Sequence, residues 1–367
     1  MEEIDAAGLR RRLQSASGID FCSNDYLGLS THPFIRKRMS DAVLHTACGS
    51  TGSRLIRGNS DEFPALEKRF AKFKGTEAAL YFGSGYAANL GVLETFIGRN
   101  DLVFSDELNH ASIIDGIRLS RARRIKFPHC DIDRVAELMR HANAGTQKFL
   151  VTESLFSMDG DFAPLADYAE LCRHTNTALI VDEAHAVGIY GENRSGWVEH
   201  TGTGSEVFLT INTAGKALGV SGAFVAGSEW AIEFLIQRAR PFIFSTAPPP
   251  AVATGLDASL EVIGAQPELR RTLKHNTGFL RGLLHEKGME IGNSESQIVS
   301  IVLGSNERAM SVAEELQRVG FDVRALRPPT VPDGTARLRI TVNAKHDEPT
   351  IRSFVHVLER TCSAVCS

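Results

Sequence analysis

TALIVDEAH (Thr177–His185) is an apolar run that stops at an aspartate and reaches a histidine three residues later. A short continuous run of this kind, without polar alternation, reads as a strand covered on both faces, the habit of a parallel sheet. Outward from it in both directions stand similar runs: EAALYF (Glu77–Phe82), DLVFSD (Asp101–Asp106), KFLVTE (Lys148–Glu153), EVFLTI (Glu206–Ile211) and GAFVAG (Gly222–Gly227). Between them lie stretches such as PALEKRFAKFK (Pro64–Lys74) and DIDRVAELMRHA (Asp131–Ala142), with apolar residues three and four apart. Strands alternating with amphipathic helices predict an α/β fold with a doubly wound, mainly parallel sheet.

The prolines of PFIFSTAPPP (Pro241–Pro250) break this pattern, and a long helical stretch follows. From about Gln297 the chain carries its own strands (QIVSIVLG, ARLRITV) and helices (ERAMSVAEELQRVG, PTIRSFVHVLERTC), which predict a small α+β domain. Residues 1–40 are too short and irregular to form a core and must pack on something else. The expected division is therefore 1–40, 41–250 and 251–367.

Composition narrows the function. The chain has 367 residues, 43% hydrophobic and 23% charged, with a formal net charge of -4. A packed globular protein fits these fractions, and no overall positive field draws it to nucleic acid or anionic lipid. No apolar run reaches the roughly 18 residues that a membrane span needs. Six scattered cysteines without a CxxC pair, and a start without a signal-like apolar core, fit a reducing cytoplasm. Cys362, Cys366 and His356 share the tail, but three candidate ligands against the usual four read as a packed terminal helix, and no metal is expected.

In an open α/β sheet, ligands collect at the carboxyl ends of the strands. After EAALYF comes GSGYAAN (Gly83–Asn89), which would present backbone N–H groups to a phosphate, or simply make a left-handed turn. After TALIV, Asp182 calls for a cation such as a pyridinium N–H, an N-cap and a helicase-type DEAH box being the other readings. No GxxxxGK[ST] loop accompanies it. After FLTI, Lys216 stands among small residues in NTAGKALG (Asn212–Gly219), either an exposed turn lysine or an amine able to condense with an aldehyde. Thr213 could donate its hydroxyl to a phosphate oxygen. His110 follows DLVFSD as a capping or surface residue, or as a planar ring over an aromatic cofactor. Phosphate turn, histidine, strand-end aspartate and small-residue lysine come in the order that a pyridoxal-phosphate domain needs.

FCSNDYLGLSTHP, GSGYAANL, DELNHASIIDG, VTESLFSMDGDFAPL, VDEAHAVGIYG, GKALGVSGAFV and FIFSTAPPP together resemble the α-oxoamine synthases, a branch of the fold-type I pyridoxal-phosphate transferases, over nearly the whole chain. The resemblance implies an acyltransferase that joins an amino acid to an acyl thioester with loss of carbon dioxide. It makes Lys216 the Schiff-base lysine, Asp182 the pyridine-nitrogen partner, His185 the partner of the ring hydroxyl and His110 the stacking residue, which also meets substrate. It gives Gly85, Tyr86 and Thr213 to the phosphate, Ser245 and Thr246 to the phosphate of a second subunit, and a place beside the cofactor to Ser157. It assigns Asn24 and Arg339 to the amino-acid carboxylate, and Thr330 and Arg10 to the acyl substrate. Family sites lie between subunits, so a homodimer is implied. The segment Arg327–Thr341 looks most like the member that takes L-alanine and a pimeloyl thioester. Members that take glycine with acetyl-CoA or succinyl-CoA, or serine with a palmitoyl group, and a silent scaffold subunit are the alternatives. Arg118, Arg121, Arg123 and Arg124 could attract an acyl carrier, or form a solvated helix face.

Overall fold

In the computed structural model, which describes all residues except 1–8, 12, 144 and 367, the chain divides into two compact units. One comprises residues 29–156 and 162–267, and the other residues 1–28, 157–161 and 268–367.

The first unit is built on seven strands: β1 (Ala78–Phe82), β2 (Leu102–Asp106), β3 (Arg123–Phe127), β4 (Lys148–Glu153), β5 (Thr177–Asp182), β6 (Val207–Thr213) and β7 (Ala223–Gly227). Their order in the sheet is β1-β7-β6-β5-β4-β2-β3. Only β7 runs against its neighbours, β1 and β6. Strand alternation sends successive side chains to opposite faces, and both faces are covered. Val103 and Ile180 join a cluster with Val92, Leu93, Ile113 and Ile117 of the helices Gly85–Phe96 and Ala111–Ser120. Phe104, Leu179 and Val181 join another with Val135, Met139, Tyr168 and Ala169 of the helices Ile132–Arg140 and Leu165–Thr175. Each large apolar side chain fully buried this way contributes about 1.5–3 kcal/mol, which is why these strands read as unbroken apolar runs. The doubly wound, mainly parallel α/β sheet is as the sequence predicts.

β3 is the strand that the apolar pattern does not reveal. RRIKF pairs on one side only, with β2, and leaves Arg123 and Arg124 exposed, as an edge strand tolerates. Of the four arginines expected on one helix face, Arg118 alone lies in the helix Ala111–Ser120. Arg121 caps it in the left-handed region, and Arg123 and Arg124 belong to β3. The helices Gly85–Phe96 and Ala111–Ser120 approach closely at Gly116, where a Cβ would meet the Leu93 side chain and, at 3.2 Å, the carbonyl oxygen of Asn89.

In the second unit Ala336–Thr341 is the central strand of an antiparallel sheet, flanked by Ile298–Gly304 and Arg324–Leu326. The helices Asn306–Arg318 and Glu348–Cys366 belong to the same unit. The N-terminal segment docks here through Phe21, which stacks on Phe354 at 4.0 Å and on His346 at 4.1 Å between ring centroids. Ile19–Asp20 adds a short parallel pairing with Phe321–Asp322. The loop 157–161 is held against the strand Ile298–Gly304 by the Ser300 hydroxyl, which donates to the Met158 carbonyl. Gly160, at φ 77°, has no room for a Cβ against the Ile298 carbonyl oxygen.

Candidate active site

Asp182, Thr213 and Glu153 stand at the carboxyl ends of β5, β6 and β4, and the helix Gly85–Phe96 begins just beyond the end of β1. Its N-cap, Ser84, accepts from the backbone N–H of Ala87 at 3.1 Å. The first-turn N–H groups of Gly85 and Tyr86 have no intrahelical carbonyl to meet, so this end can receive an anion. A Cβ at Gly85 would run into the Thr213 hydroxyl, so the glycine and the threonine shape one cradle. This is the geometry a phosphate requires, and it favours the phosphate reading of GSGYAAN.

Lys216 is half-buried, and its amine lies 2.7 Å from Nε2 of the buried His185. The reading of an exposed turn lysine does not hold, because Lys216 is half-buried; the turn that carries it is closed by the Ala214 N–H donating to the Gly222 carbonyl and that of Gly219 to the carbonyl of Lys216. Asp182 is buried, one oxygen accepting from the Ala184 N–H at 2.9 Å and the other from Nδ2 of Asn89 at 2.7 Å. The Ala184 contact closes a local turn, and the Asn89 contact reaches across to the phosphate-turn helix.

His110 is the N-cap of the helix Ala111–Ser120, accepting through Nδ1 from the Ser112 N–H. Its pKa lies below the usual histidine value because burial disfavours the cation, against the pull of Asp182, and the Lys216 charge adds to the lowering. Next to Asp182 in register on β4, the buried Glu153 has its pKa pushed up to about 8 by burial and by the Asp182 charge, with Lys216 opposing. The Lys216 amine, the Asp182 carboxylate, the imidazoles of His110 and His185 and the cradle of Gly85 and Thr213 thus lie at the carboxyl end of the sheet, a set of groups that fits pyridoxal phosphate.

In the second unit Arg339 is buried, with Nε donating to the Ser157 carbonyl at 2.5 Å and Nη2 donating to Oδ1 of Asn24 at 2.9 Å and the Tyr26 hydroxyl at 3.3 Å. Tyr26 in turn donates to the same Asn24 oxygen at 2.9 Å. Burial raises the Tyr26 pKa, and the Arg339 charge opposes the shift. Sequence reading brings Asn24, Ser157 and Arg339 into view as separate candidates, and folding joins them in one network. Near Thr330 it is Arg11 whose guanidinium reaches the hydroxyl, at 3.4 Å, while the Arg10 carbonyl accepts from Arg327 at 3.3 Å. Ser245 and Thr246 are exposed, and Thr246 bridges to Ser53.

Asn89, Ser112, Tyr26, Glu153 and Arg11 escape the sequence reading. Each is a common residue type whose meaning comes from the partners that folding gives it. The same holds for Asp106, His129 and Cys130, whose ligand-type atoms lie within 4.8 Å of one another. Asp106 there already accepts from the backbone N–H groups of Leu108 and Cys130 and meets the His129 ring, a clamp between two loops. In the tail, the side chain of Cys366 lies outside the described residues.

Residues 16–358 match the family model for aminotransferase class I and II. An 8-amino-7-oxononanoate synthase of Anaeromyxobacter dehalogenans is 45% identical over 98% of this chain and 93% of its own length. A serine palmitoyltransferase solved with its pyridoxal phosphate as an internal aldimine superimposes with a TM-score of 0.93 at 27% identity, over 100% of this chain and 96% of that one. The 8-amino-7-oxononanoate synthase of Francisella tularensis gives a TM-score of 0.82 at 29% identity, over 96% and 99% of the two chains. The chain belongs to the aminotransferase class I and II family and, within it, to the 8-amino-7-oxononanoate synthases.

Proposed function

We propose that this protein condenses L-alanine with a pimeloyl thioester to give 8-amino-7-oxononanoate, carbon dioxide and the free thiol, a step of biotin biosynthesis. The observation that carries this reading is the Lys216 amine against His185, at the carboxyl end of the sheet where β5 ends in Asp182, in a chain of this family. Bound at Lys216, pyridoxal phosphate supplies the electron sink that makes a carbanion at the amino acid's α-carbon accessible.

The chain's own residues do the rest. Gly85, Tyr86 and Thr213 hold the phosphate, and Asp182 keeps the pyridine nitrogen protonated through its charge. His185 would meet the ring hydroxyl, and His110 would cover the ring face. Ser157 would stand beside the cofactor, and Ser245 or Thr246 would reach the phosphate of a partner subunit. Arg339 and Asn24 take the alanine carboxylate, the planar guanidinium matching its two oxygens. The Lys216 amine would accept the α-proton of the bound amino acid. The α-carbon then bonds to the thioester carbonyl as the carbon–sulfur bond breaks, the original carboxylate leaves as carbon dioxide, and a proton returns to the α-carbon. Thr330 and Arg10 bind the acyl chain. Holding both substrates replaces a bimolecular encounter, a gain that reaches about 7–11 kcal/mol in good geometry.

We further infer a homodimer that works in the cytoplasm. Among the described residues no helix is long and apolar enough to cross a membrane, and Cys22, Cys48 and Cys172 are free thiols. Incubating the holoprotein with alanine, glycine or serine and a panel of acyl-CoAs, with mass analysis of the amino ketone, tests the reading. Product from alanine and pimeloyl-CoA supports it, and preference for glycine or serine with another acyl group overturns it.

A further inference from the structure

Asn89 and Ser112, which have no part in the reaction as drawn, are buried between Asp182 and His110. Nδ2 of Asn89 donates at 2.7 Å to Oδ2 of Asp182 and at 2.9 Å to the Ser112 hydroxyl. An ionised carboxylate only accepts, so the amide nitrogen must face Asp182, and its two hydrogens are both engaged. The Ser112 oxygen lies 2.7 Å from Nδ1 of His110. Since it accepts from Asn89, its own hydrogen is available for that nitrogen. The backbone N–H of Ser112 donates to Nδ1 as well, at 3.2 Å. A ring nitrogen facing two donors carries a lone pair, and the ring proton then sits on Nε2.

We propose that Asn89 and Ser112 are positioning residues that hold His110 as the neutral imidazole protonated on Nε2 and tie that tautomer to the carboxylate of Asp182. The proposal rests on the roles of Asp182 and His110 given above. In the proposed reaction Asp182 thereby bears on two rings: its charge would keep the pyridine protonated, and, although that charge also favours a protonated His110, the relay keeps the imidazole unprotonated at Nδ1. Protonating Nδ1 would turn the Ser112 hydroxyl away from it and oppose the backbone N–H. The other groups that bear on His110 are Lys216, whose charge disfavours the cation, Glu153, which accepts the His110 backbone N–H, and Tyr86, whose ring meets it edge-on at 6.5 Å. A purely structural helix cap would need the backbone contact alone. The additional link through Asn89 to a carboxylate of the site is what marks a relay.

The test is a long-range proton–nitrogen correlation spectrum of the holoprotein labelled with ¹⁵N-histidine, the His110 signals being assigned with His110→Gln. Wild type is expected to show the Nε2–H tautomer and a His110 pKa below the ordinary value of about 6.5. Ser112→Ala should raise that pKa by about half to one unit, the equivalent of one lost hydrogen bond, and populate the Nδ1–H form. Ser112→Thr, which keeps the hydroxyl, should restore both. An Nδ1–H tautomer in wild type, or a Ser112→Ala spectrum identical to wild type, overturns the proposal. A wild-type protein that makes no amino ketone would defeat the proposed function while leaving the spectra to judge the relay.

Discussion

Nζ of Lys216 and Nε2 of His185 lie 2.7 Å apart, a half-buried amine against a buried imidazole, 31 residues apart in sequence. The pairing shows that the lysine is aimed at the site and not at solvent. Lys216→Ala is expected to lose the visible absorbance of lysine-bound pyridoxal phosphate and at least about a hundredfold in turnover, since the proposed reaction uses Lys216 as both anchor and base. Absorbance spectra and steady-state rates of the variant measure this. Retention of both would remove Lys216 from its role.

The Arg339 guanidinium is buried and oriented by Ser157, Asn24 and Tyr26. Arg339→Lys keeps a positive charge but loses the planar fork, and should weaken alanine binding by about 10- to 100-fold, the worth of a charge-assisted hydrogen bond. Titrating the cofactor spectrum with alanine reads the change, and an unshifted titration would show that the carboxylate binds elsewhere.

Lys74 and Glu183 form an ion pair whose side chains are 2% and 0% exposed. Lys74 also donates to the Ser195 carbonyl at 2.6 Å, and Glu183 accepts from the Val198 N–H at 2.8 Å. Because Glu183 directly follows Asp182, this pair also anchors the end of β5. Lys74→Met strands a buried carboxylate and should cost about 3–5 kcal/mol in denaturant unfolding. The double variant Lys74→Met with Glu183→Leu should recover much of that loss. A single variant as stable as wild type would mean that the pair is solvated.

Glu153 has its pKa pushed up to about 8 by burial and by Asp182, and its Oε1 has no hydrogen-bond partner. A carboxyl that holds its proton more tightly when folded adds stability at pH below its unfolded pKa, and loses it as pH rises through the folded value. Stability should therefore fall between about pH 5 and 8, and Glu153→Gln, which cannot ionise, should flatten that slope by a few degrees in melting temperature. Parallel thermal scans across this range decide it, and identical slopes would show that Glu153 stays ionised.

Much of the fold was legible because two-sided burial writes itself into strand sequence. TALIVD and DLVFSD are apolar on successive residues because both faces of their sheet are covered. RRIKF escaped because an edge strand with exposed arginines carries no such signature. The site was legible where chemistry demands a rare combination, as with Lys216 among small residues and Asp182 at the end of an apolar run. Asn89, Ser112 and Tyr26 were illegible because an amide or a hydroxyl has meaning only through its partner.

By itself, then, the sequence determined the strand-and-helix alternation, the order of phosphate turn, histidine, aspartate and lysine along the chain, and the family those motifs denote. Tertiary structure decided what these groups do to one another. It set Lys216 against His185, joined Asn24 and Arg339 from opposite ends of the chain, and ran a line of hydrogen bonds from Asp182 to His110. Burial periodicity is a local property that each segment records on its own, whereas hydrogen-bond geometry and charge coupling depend on distances that exist only once the strands are laid side by side.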